Sequence, residues 1–370
     1  MTKLTCKLCG FKATNLVPHI ETTHIKDFDL ASMMSSEGIS EKEAVLIAYM
    51  VKFDAEESDV VSPEPTKEST MSKKELADSI EVAGVRFPLG RGGLEVPPID
   101  EHYYFSPMAK EIAQDIIENR RIGLTGHTGC GKTSMIMQIA ARIGQPVIRV
   151  NMNNQTTISD FVGTWVAKGG SMEWIDGALP HALRLGYWLI VDEIDCAEAG
   201  ILSALNSVLE KGGTLTLKEK GFEVITPHAD FRIFCTGNTL GGMSRFRHLY
   251  QGRNIMDEAF LDRWRVYKID YLSPDDEARV LSEATPKLSL KICTIAVRVA
   301  NMVRKAFKEE TIQCTFSLRR LIDWSELMVR HKDPLKAAET SIFSKISDED
   351  AEVVKGIIQH VMVGQSTPKK

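Results

Sequence analysis

Residues 122–134 read Ile-Gly-Leu-Thr-Gly-His-Thr-Gly-Cys-Gly-Lys-Thr-Ser, and this stretch decides the fold. Ile122–Thr125 is a short apolar run, and Met135, Ile136, Ile139 and Ala140 follow at helical spacing. Between strand and helix stands G-x-x-x-x-G-K-[ST], in the setting that this motif requires. Its glycines permit positive φ and let backbone N–H groups close around phosphate oxygens. The candidate nucleotide segment is therefore Gly126, His127, Thr128, Gly129, Cys130, Gly131, Lys132, Thr133 and Ser134. Lys132 is placed to bridge the β- and γ-phosphates, and the Thr133 hydroxyl to ligate Mg²⁺. A glycine-rich turn before a helix is the plainer reading, and strand, motif and helix together outweigh it.

Four further pieces lie downstream. Trp188-Leu-Ile-Val-Asp192-Glu193 is a hydrophobic strand ending in two carboxylates. Beside a phosphate loop, Asp192 suits the Mg²⁺ shell, and Glu193 suits the orientation and activation of the attacking water. Phe231–Thr236 runs into Gly237-Asn238, whose amide can hold that water, although turns favour Asn in any case. Asp257-Glu-Ala-Phe-Leu-Asp-Arg263-Trp-Arg265 carries an arginine able to reach a neighbouring copy's γ-phosphate, against the common alternative of a surface ion pair with Asp262 or Glu258. Phe316-Ser-Leu-Arg319-Arg320 opens a later helix from which Arg319 can touch the nucleotide.

The rest of the chain organises around these motifs. Ile122–Thr125, Val147–Asn151, Trp188–Val191 and Phe231–Thr236 are short continuous apolar runs, as expected of parallel strands buried on both faces. Residues 73–272 are read as an α/β core. Residues 273–364 show helical periodicity in Asp275–Glu283, Leu290–Lys308 and Leu318–Val329, which predicts a separate helical subdomain. Residues 54–72 are acidic, rich in Ser and Pro and without period, hence a linker. Residues 27–53 read as short helices opened by a Ser40/Glu43 capping box.

The chain has 370 residues with 45 Lys+Arg against 50 Asp+Glu, a net charge of −5, so its overall surface is not built to wrap nucleic acid. No apolar run has the length of a membrane span, and Met1–Gly10 is too polar for a signal peptide. Five of the seven cysteines (Cys130, Cys196, Cys235, Cys293, Cys314) are scattered through apparent core elements, which predicts a reduced, cytoplasmic protein without a membrane partner.

In order and spacing, the five motifs resemble the Walker A, Walker B, sensor 1, arginine finger and sensor 2 of the AAA+ ATPases over about residues 95–364. Within that class the chain resembles the MoxR branch, most closely the CobS-type ATPase subunit of aerobic cobaltochelatase. The narrower likeness rests on Leu94–Asp100, Val147–Asn151 with Ile158–Gly163, Gly177–Leu183, Val208–Leu217 (which looks like the hairpin placed before sensor 1), Met256–Trp264 and 317–324. It implies ATP and Mg²⁺ as cofactors, a hexameric ring of identical chains with nucleotide between subunits, and an inserted hairpin at Trp165–Trp174 facing substrate or partner. It also implies a partner carrying a von Willebrand A domain. Arg263 matches the finger position, with Arg265 as the nearby rival.

The amino terminus adds something else. Cys6-x2-Cys9, nine residues, then His19-x4-His24 supplies two thiolates and two imidazoles for tetrahedral Zn²⁺. Residues 1–26 resemble the compact finger of the prokaryotic Ros/MucR type. Only Lys3, Lys7, Lys12 and Lys26 are basic nearby, so the base-reading arginines of DNA fingers are absent and docking to protein is at least as well supported as docking to nucleic acid. Three functions follow as expectations. One is an ATP-driven motor that remodels a partner protein, with a cobaltochelatase-type subunit among its forms. Another is a motor that the finger delivers to nucleic acid, and the third a nucleotide-gated scaffold. Intact Lys132, Asp192, Glu193 and Asn238 argue against the scaffold.

Overall fold

The structure, a computed structural model, describes residues 4–5, 12–13, 79–153, 155–238, 240 and 256–363. The chain divides into two units, Met1–Lys74 and Glu75–Lys370. In the first, β1 (Leu4–Thr5) pairs antiparallel with β2 (Lys12–Ala13), Leu4 opposite Ala13. Cys6, Cys9, His19 and His24, the Ser40/Glu43 box and the 54–72 linker lie outside the described residues.

The second unit opens with a hairpin of β3 (Ser79–Val82) and β4 (Val85–Pro88). Ala83 and Gly84 both adopt positive φ, 53° and 74°, the turn whose twist suits a two-residue hairpin. Helix α1 (Met108–Ile117) then leads to β5 (Ile122–Thr125), α2 (Lys132–Ile143) and β6 (Val147–Asn151). A short α3 (Ile158–Val162) is opened by a Thr157/Asp160 capping box and runs into the hairpin β7 (Gly163–Lys168) and β8 (Ser171–Asp176). Trp165 and Trp174 face each other across that hairpin, as expected of an insertion there. After α4 (Ala178–Leu185) come β9 (Trp188–Asp192) and α5 (Ala199–Leu209). A small ribbon of β10 (Leu215–Leu217) and β11 (Glu223–Ile225) precedes β12 (Arg232–Gly237). The short α6 (Glu258–Leu261) and β13 (Arg265–Lys268) complete the core.

Strands β13-β5-β12-β9-β6 form one parallel sheet in that order. Alternation along the strands explains why their sequences are apolar throughout. Ile122, Leu124, Trp188, Ile190 and Phe234 turn to one face, against Ile112 and Ile116 of α1 and Ile136 and Ile139 of α2. Leu189, Val191, Ile233 and Cys235 turn to the other, against Leu179 and Leu183 of α4 and Ile201 and Leu205 of α5. The three inner strands β5, β12 and β9 thus bury both faces, the arrangement that parallel crossovers impose.

Two expectations need correction. The stretch Val208–Leu217 is not a hairpin: it finishes α5, whose Ile201, Leu205, Val208 and Leu209 are buried at helical spacing, and only Leu215–Leu217 is strand, paired forward with Glu223–Ile225. Strand β13 was not anticipated, because Arg265-Val-Tyr-Lys268 is a polar edge strand with only Tyr267 buried, so it lacks the apolar run of the other four.

The carboxyl-terminal part is helical: α7 (Pro274–Ala284), α8 (Leu290–Lys308), α9 (Leu318–His331), α10 (Pro334–Ser341) and α11 (Asp348–Val363). They share a core around Phe316, Trp324, Val297 and Val303. Inside it the Arg304 guanidinium meets both Glu277 carboxylate oxygens at 2.7 and 2.6 Å and donates to the Phe316 carbonyl at 2.7 Å. Every strong group of this buried pair is satisfied, as it must be where a lone charge would cost about 3–5 kcal/mol. None of the described helices is long and apolar enough to cross a membrane.

Candidate nucleotide site

In an open parallel sheet, ligands bind in the crevice beyond the carboxyl ends of the strands. Here β5, β12 and β9 are neighbours, and their ends deliver the phosphate loop, Asn238 and the Asp192-Glu193 pair to one place. The loop is pressed tightly into its surroundings. A Cβ on Gly129 (φ +75°) would lie 2.2 Å from the Ser317 side chain, and one on Gly126 (φ +154°) would lie 2.1 Å from the Ile269 carbonyl oxygen. Only glycine fits either position.

Lys132 is the first residue of α2. Its ammonium donates to the Gly126 carbonyl at 2.7 Å, to the His127 carbonyl at 3.1 Å and to Asn238 Oδ1 at 3.0 Å. Burial pulls its pKa down, opposed by Cys130 and the carboxylates of Asp192, Asp195 and Glu193. Next to it Thr133 Oγ1 donates to Asp192 Oδ1 at 2.8 Å, and Thr236 Oγ1 donates to the same oxygen. Asp192 Oδ2 accepts from Arg149 Nε at 2.9 Å and from Arg149 Nη2. Burial works against ionisation of Asp192, but the bonds from Thr236, Arg149 and Thr133 prevail and hold its carboxyl below the ordinary range.

Glu193 has φ 54° in the left-handed region, where a side chain costs on the order of 1–3 kcal/mol. Its N–H donates to Thr236 Oγ1 at 3.2 Å, which ties the turn after β9 to β12. Asp195, fully buried, accepts from the Asn238 N–H at 3.1 Å and fixes the turn that carries the amide.

The helical part reaches the loop as well. Tyr271, in the link between β13 and α7, donates its hydroxyl to the Thr128 carbonyl at 3.1 Å. Its ring lies parallel to the His127 imidazole and under the Arg304 guanidinium, 3.8 Å from the ring centre. Burial and then the Lys308 charge keep the His127 pKa below its usual value, which favours the neutral imidazole. Ser317, the N-cap of α9, abuts Gly129, and Arg319 stands exposed as the second residue of that helix. A cleft of about 360 Å³ opens between Asp270–Leu272 and Asn301–Lys308, beside the loop and lined by none of the catalytic candidates.

Arg263 and Arg265 lie elsewhere. Arg263 pairs with Glu210 at the end of α5, Nη2 to Oε1 2.6 Å, and with the Ala259 carbonyl, rather than with Asp262 or Glu258. Arg265 pairs with Asp115, a carboxylate only 5% exposed that also accepts from the Tyr267 hydroxyl at 2.6 Å.

Thr236, Asp195, Arg149, Ser317 and Tyr271 were not singled out in the sequence. Thr236 and Asp195 stand beside motif residues and were within reach of that reading; the other three become neighbours only in the fold. For a divalent cation the donor set fits: a hydroxyl and an ionised carboxylate 2.8 Å apart are hard oxygen ligands. Among the described residues no group of three or more His, Cys, Asp or Glu comes together that could hold a metal without such a set.

This sheet and site define the P-loop nucleoside-triphosphatase class. Two family descriptions match, "AAA domain (dynein-related subfamily)" over residues 122–264 and "CbbQ/NirQ/NorQ C-terminal" over residues 277–363. The chain is 33% identical over 246 residues to aerobic cobaltochelatase subunit CobS of a Sinorhizobium species, covering 64% of this chain and 74% of that one. It is 28% identical over 279 residues to Midasin of Dictyostelium discoideum, 72% of this chain but 5% of Midasin. It is 27% identical over 232 residues to protein CbbQ of Hydrogenophilus thermoluteolus, 61% of this chain and 80% of CbbQ. The chain belongs to the MoxR-type AAA+ ATPases related to CobS, CbbQ and NorQ.

Proposed function

We propose that the chain is a Mg-ATP-dependent motor that works as a ring of its own copies, a hexamer, and uses hydrolysis to remodel a partner protein. The observation that carries this reading is the meeting of Lys132, Thr133, Asp192 and Asn238 at three adjacent strand ends, with Glu193 held in a strained turn beside them. Lys132 and the loop amides bind the β- and γ-phosphates, while Thr133 and Asp192 hold the cation. Bound there, Mg²⁺ neutralises phosphate charge. Glu193 takes a proton from water as the water oxygen attacks the γ-phosphorus; the bond to the bridging oxygen breaks, leaving ADP and phosphate. Asn238 orients the water, Arg319 contacts the nucleotide from α9, and Arg263 serves the neighbouring copy's site. The core and the helical part meet at residues 272–273 in this reading, with nucleotide between them.

The identity to CobS supports testing a cobaltochelatase-type partner first, and a von Willebrand A domain protein is the partner class we expect. Lys132→Ala is expected to lose nucleotide binding and turnover together, read by equilibrium binding of a fluorescent ATP analogue and by phosphate release. Retained binding with full turnover would remove the phosphate loop from the account.

The finger of residues 1–26 is proposed as a zinc site, with Cys6, Cys9, His19 and His24 as ligands. In sequence the two cysteines fall between β1 and β2, whose antiparallel pairing supports a hairpin there. Structural zinc contributes on the order of 10 kcal/mol to such a module, far more than a core of this size supplies. Elemental analysis of protein purified without chelators is expected to give one zinc per chain, lost in a Cys6→Ser/Cys9→Ser double variant. Zinc-free protein would end this part of the proposal.

A further inference from the structure

Asp192 accepts four side-chain hydrogen bonds, only one of them from the phosphate loop. Oδ1 is taken by two hydroxyls, Thr133 at 2.8 Å and Thr236, and Oδ2 by two nitrogens of one guanidinium, Arg149 Nε at 2.9 Å and Nη2. The Asp192 side chain is 7% exposed and that of Arg149 50%. Arg149 is the third residue of the edge strand β6, registered with Ile190, and Asp192 stands two residues further along β9. Residues two apart share a face of the sheet, so the long arginine side chain runs up that face to the strand end. Among the described residues Asp192 is the sole polar partner of Arg149.

We propose that Arg149 is a positioning residue for the divalent cation: by holding Oδ2 of Asp192 it fixes the carboxylate with Oδ1 turned to Thr133. The inference rests on the reading of Thr133 and Asp192 as the magnesium side of the site. Two effects of the guanidinium oppose each other. It repels an approaching Mg²⁺, but its half-exposed charge is screened by solvent and counter-ions. It also fixes the angle of a ligand, and losing such an outer partner typically weakens metal binding about 10–100-fold. Orientation is therefore the larger effect. A planar guanidinium sets two directions at once, which the point charge of a lysine does not.

The test is equilibrium binding of a fluorescent ADP analogue to the full chain, with Mg²⁺ titrated and with the cation chelated. Arg149→Ala is expected to bind the analogue like wild type when Mg²⁺ is chelated and to need about 10–100-fold more Mg²⁺ for half-saturation. Arg149→Lys is expected to recover only part of that shift. A curve for Arg149→Ala that overlies wild type, or moves to lower Mg²⁺, would overturn the proposal, the second outcome showing competition instead. Full recovery by lysine would also overturn it, by reducing the role to charge. Should Arg149→Ala fail to fold by circular dichroism, Arg149→Gln takes its place with the same expected direction. Thr133→Ala separates the two layers: if its Mg²⁺ curve matches wild type, the magnesium reading itself fails, whatever Arg149 does.

Discussion

Glu193→Gln is expected to bind ATP as wild type does and to lose turnover. The amide keeps the size of the side chain and its place in the left-handed turn after β9, so the backbone bond to Thr236 is untouched. What disappears is the group that takes the proton from the attacking water. General bases contribute about 10²–10⁴ in rate, so steady-state phosphate release is expected to fall by at least that factor. Lys132, Thr133 and Asp192 remain, hence nucleotide affinity stays. A rate near wild type would move the base elsewhere, with Asp195 a poor substitute because it is fully buried and committed to the Asn238 N–H. The same variant is useful beyond this point. ATP-bound rings that cannot turn over should retain their client, which makes Glu193→Gln the bait for identifying it.

Arg263→Ala is expected to bind ATP and barely hydrolyse it. Lys132 already holds the β- and γ-phosphates before transfer, so the further charge that spreads over the γ-phosphate oxygens during transfer calls for another cation. An arginine supplied by a neighbour provides it in this kind of site and is worth about 10³–10⁵ in rate. The surroundings of the two candidate arginines favour Arg263. Its partner Glu210 is well exposed (57%) and Arg263 itself partly so (29%); surface pairs are worth about 0–1 kcal/mol, so releasing this one costs little. Arg265 is held by Asp115, which is buried and shared with Tyr267; pulling the arginine away would leave that carboxylate without its counter-charge. A loss of less than about tenfold in Arg263→Ala would shift the role to Arg265 or another residue.

Much of this was legible in the sequence, and the physical reasons are specific. Strands β5, β9 and β12 were found within a residue of their observed ends because burial on both faces makes them continuously apolar, and the edge strand β6 was found by its Val147, Ile148 and Val150. The phosphate loop was legible because its backbone geometry restricts the residue types: a Cβ on Gly126 or Gly129 would overlap neighbouring backbone or side chain at 2.1 or 2.2 Å, far inside van der Waals contact. The helices of the carboxyl-terminal part were visible in their periodicity, Leu290–Lys308 to the residue. What escaped lacked such a signature. β13 is an edge strand with one buried side chain, and the β3–β4 hairpin turns on Ala83-Gly84 rather than on Asn-Gly or Asp-Gly. Arg149 reads as a charged residue in a strand, and only the register of β6 against β9 brings it to Asp192. Tyr271 and Ser317 reach the loop from segments about 140 and 190 residues away along the chain, contacts that local pattern does not encode.

The measurement that bears most directly on the shared site of a ring is a titration of Arg263→Ala into Lys132→Ala, read as ATPase rate after subunit exchange. Each variant alone is expected to be nearly inactive. One lacks the charge that the neighbour must supply, and the other lacks the ammonium that holds the phosphates. In a mixed ring, an intact Arg263 from a Lys132→Ala copy faces an intact loop from an Arg263→Ala copy, across a head-to-tail interface. The account predicts activity that rises at intermediate ratios and vanishes at both ends. No recovery at any ratio, in rings shown to be mixed, would contradict it.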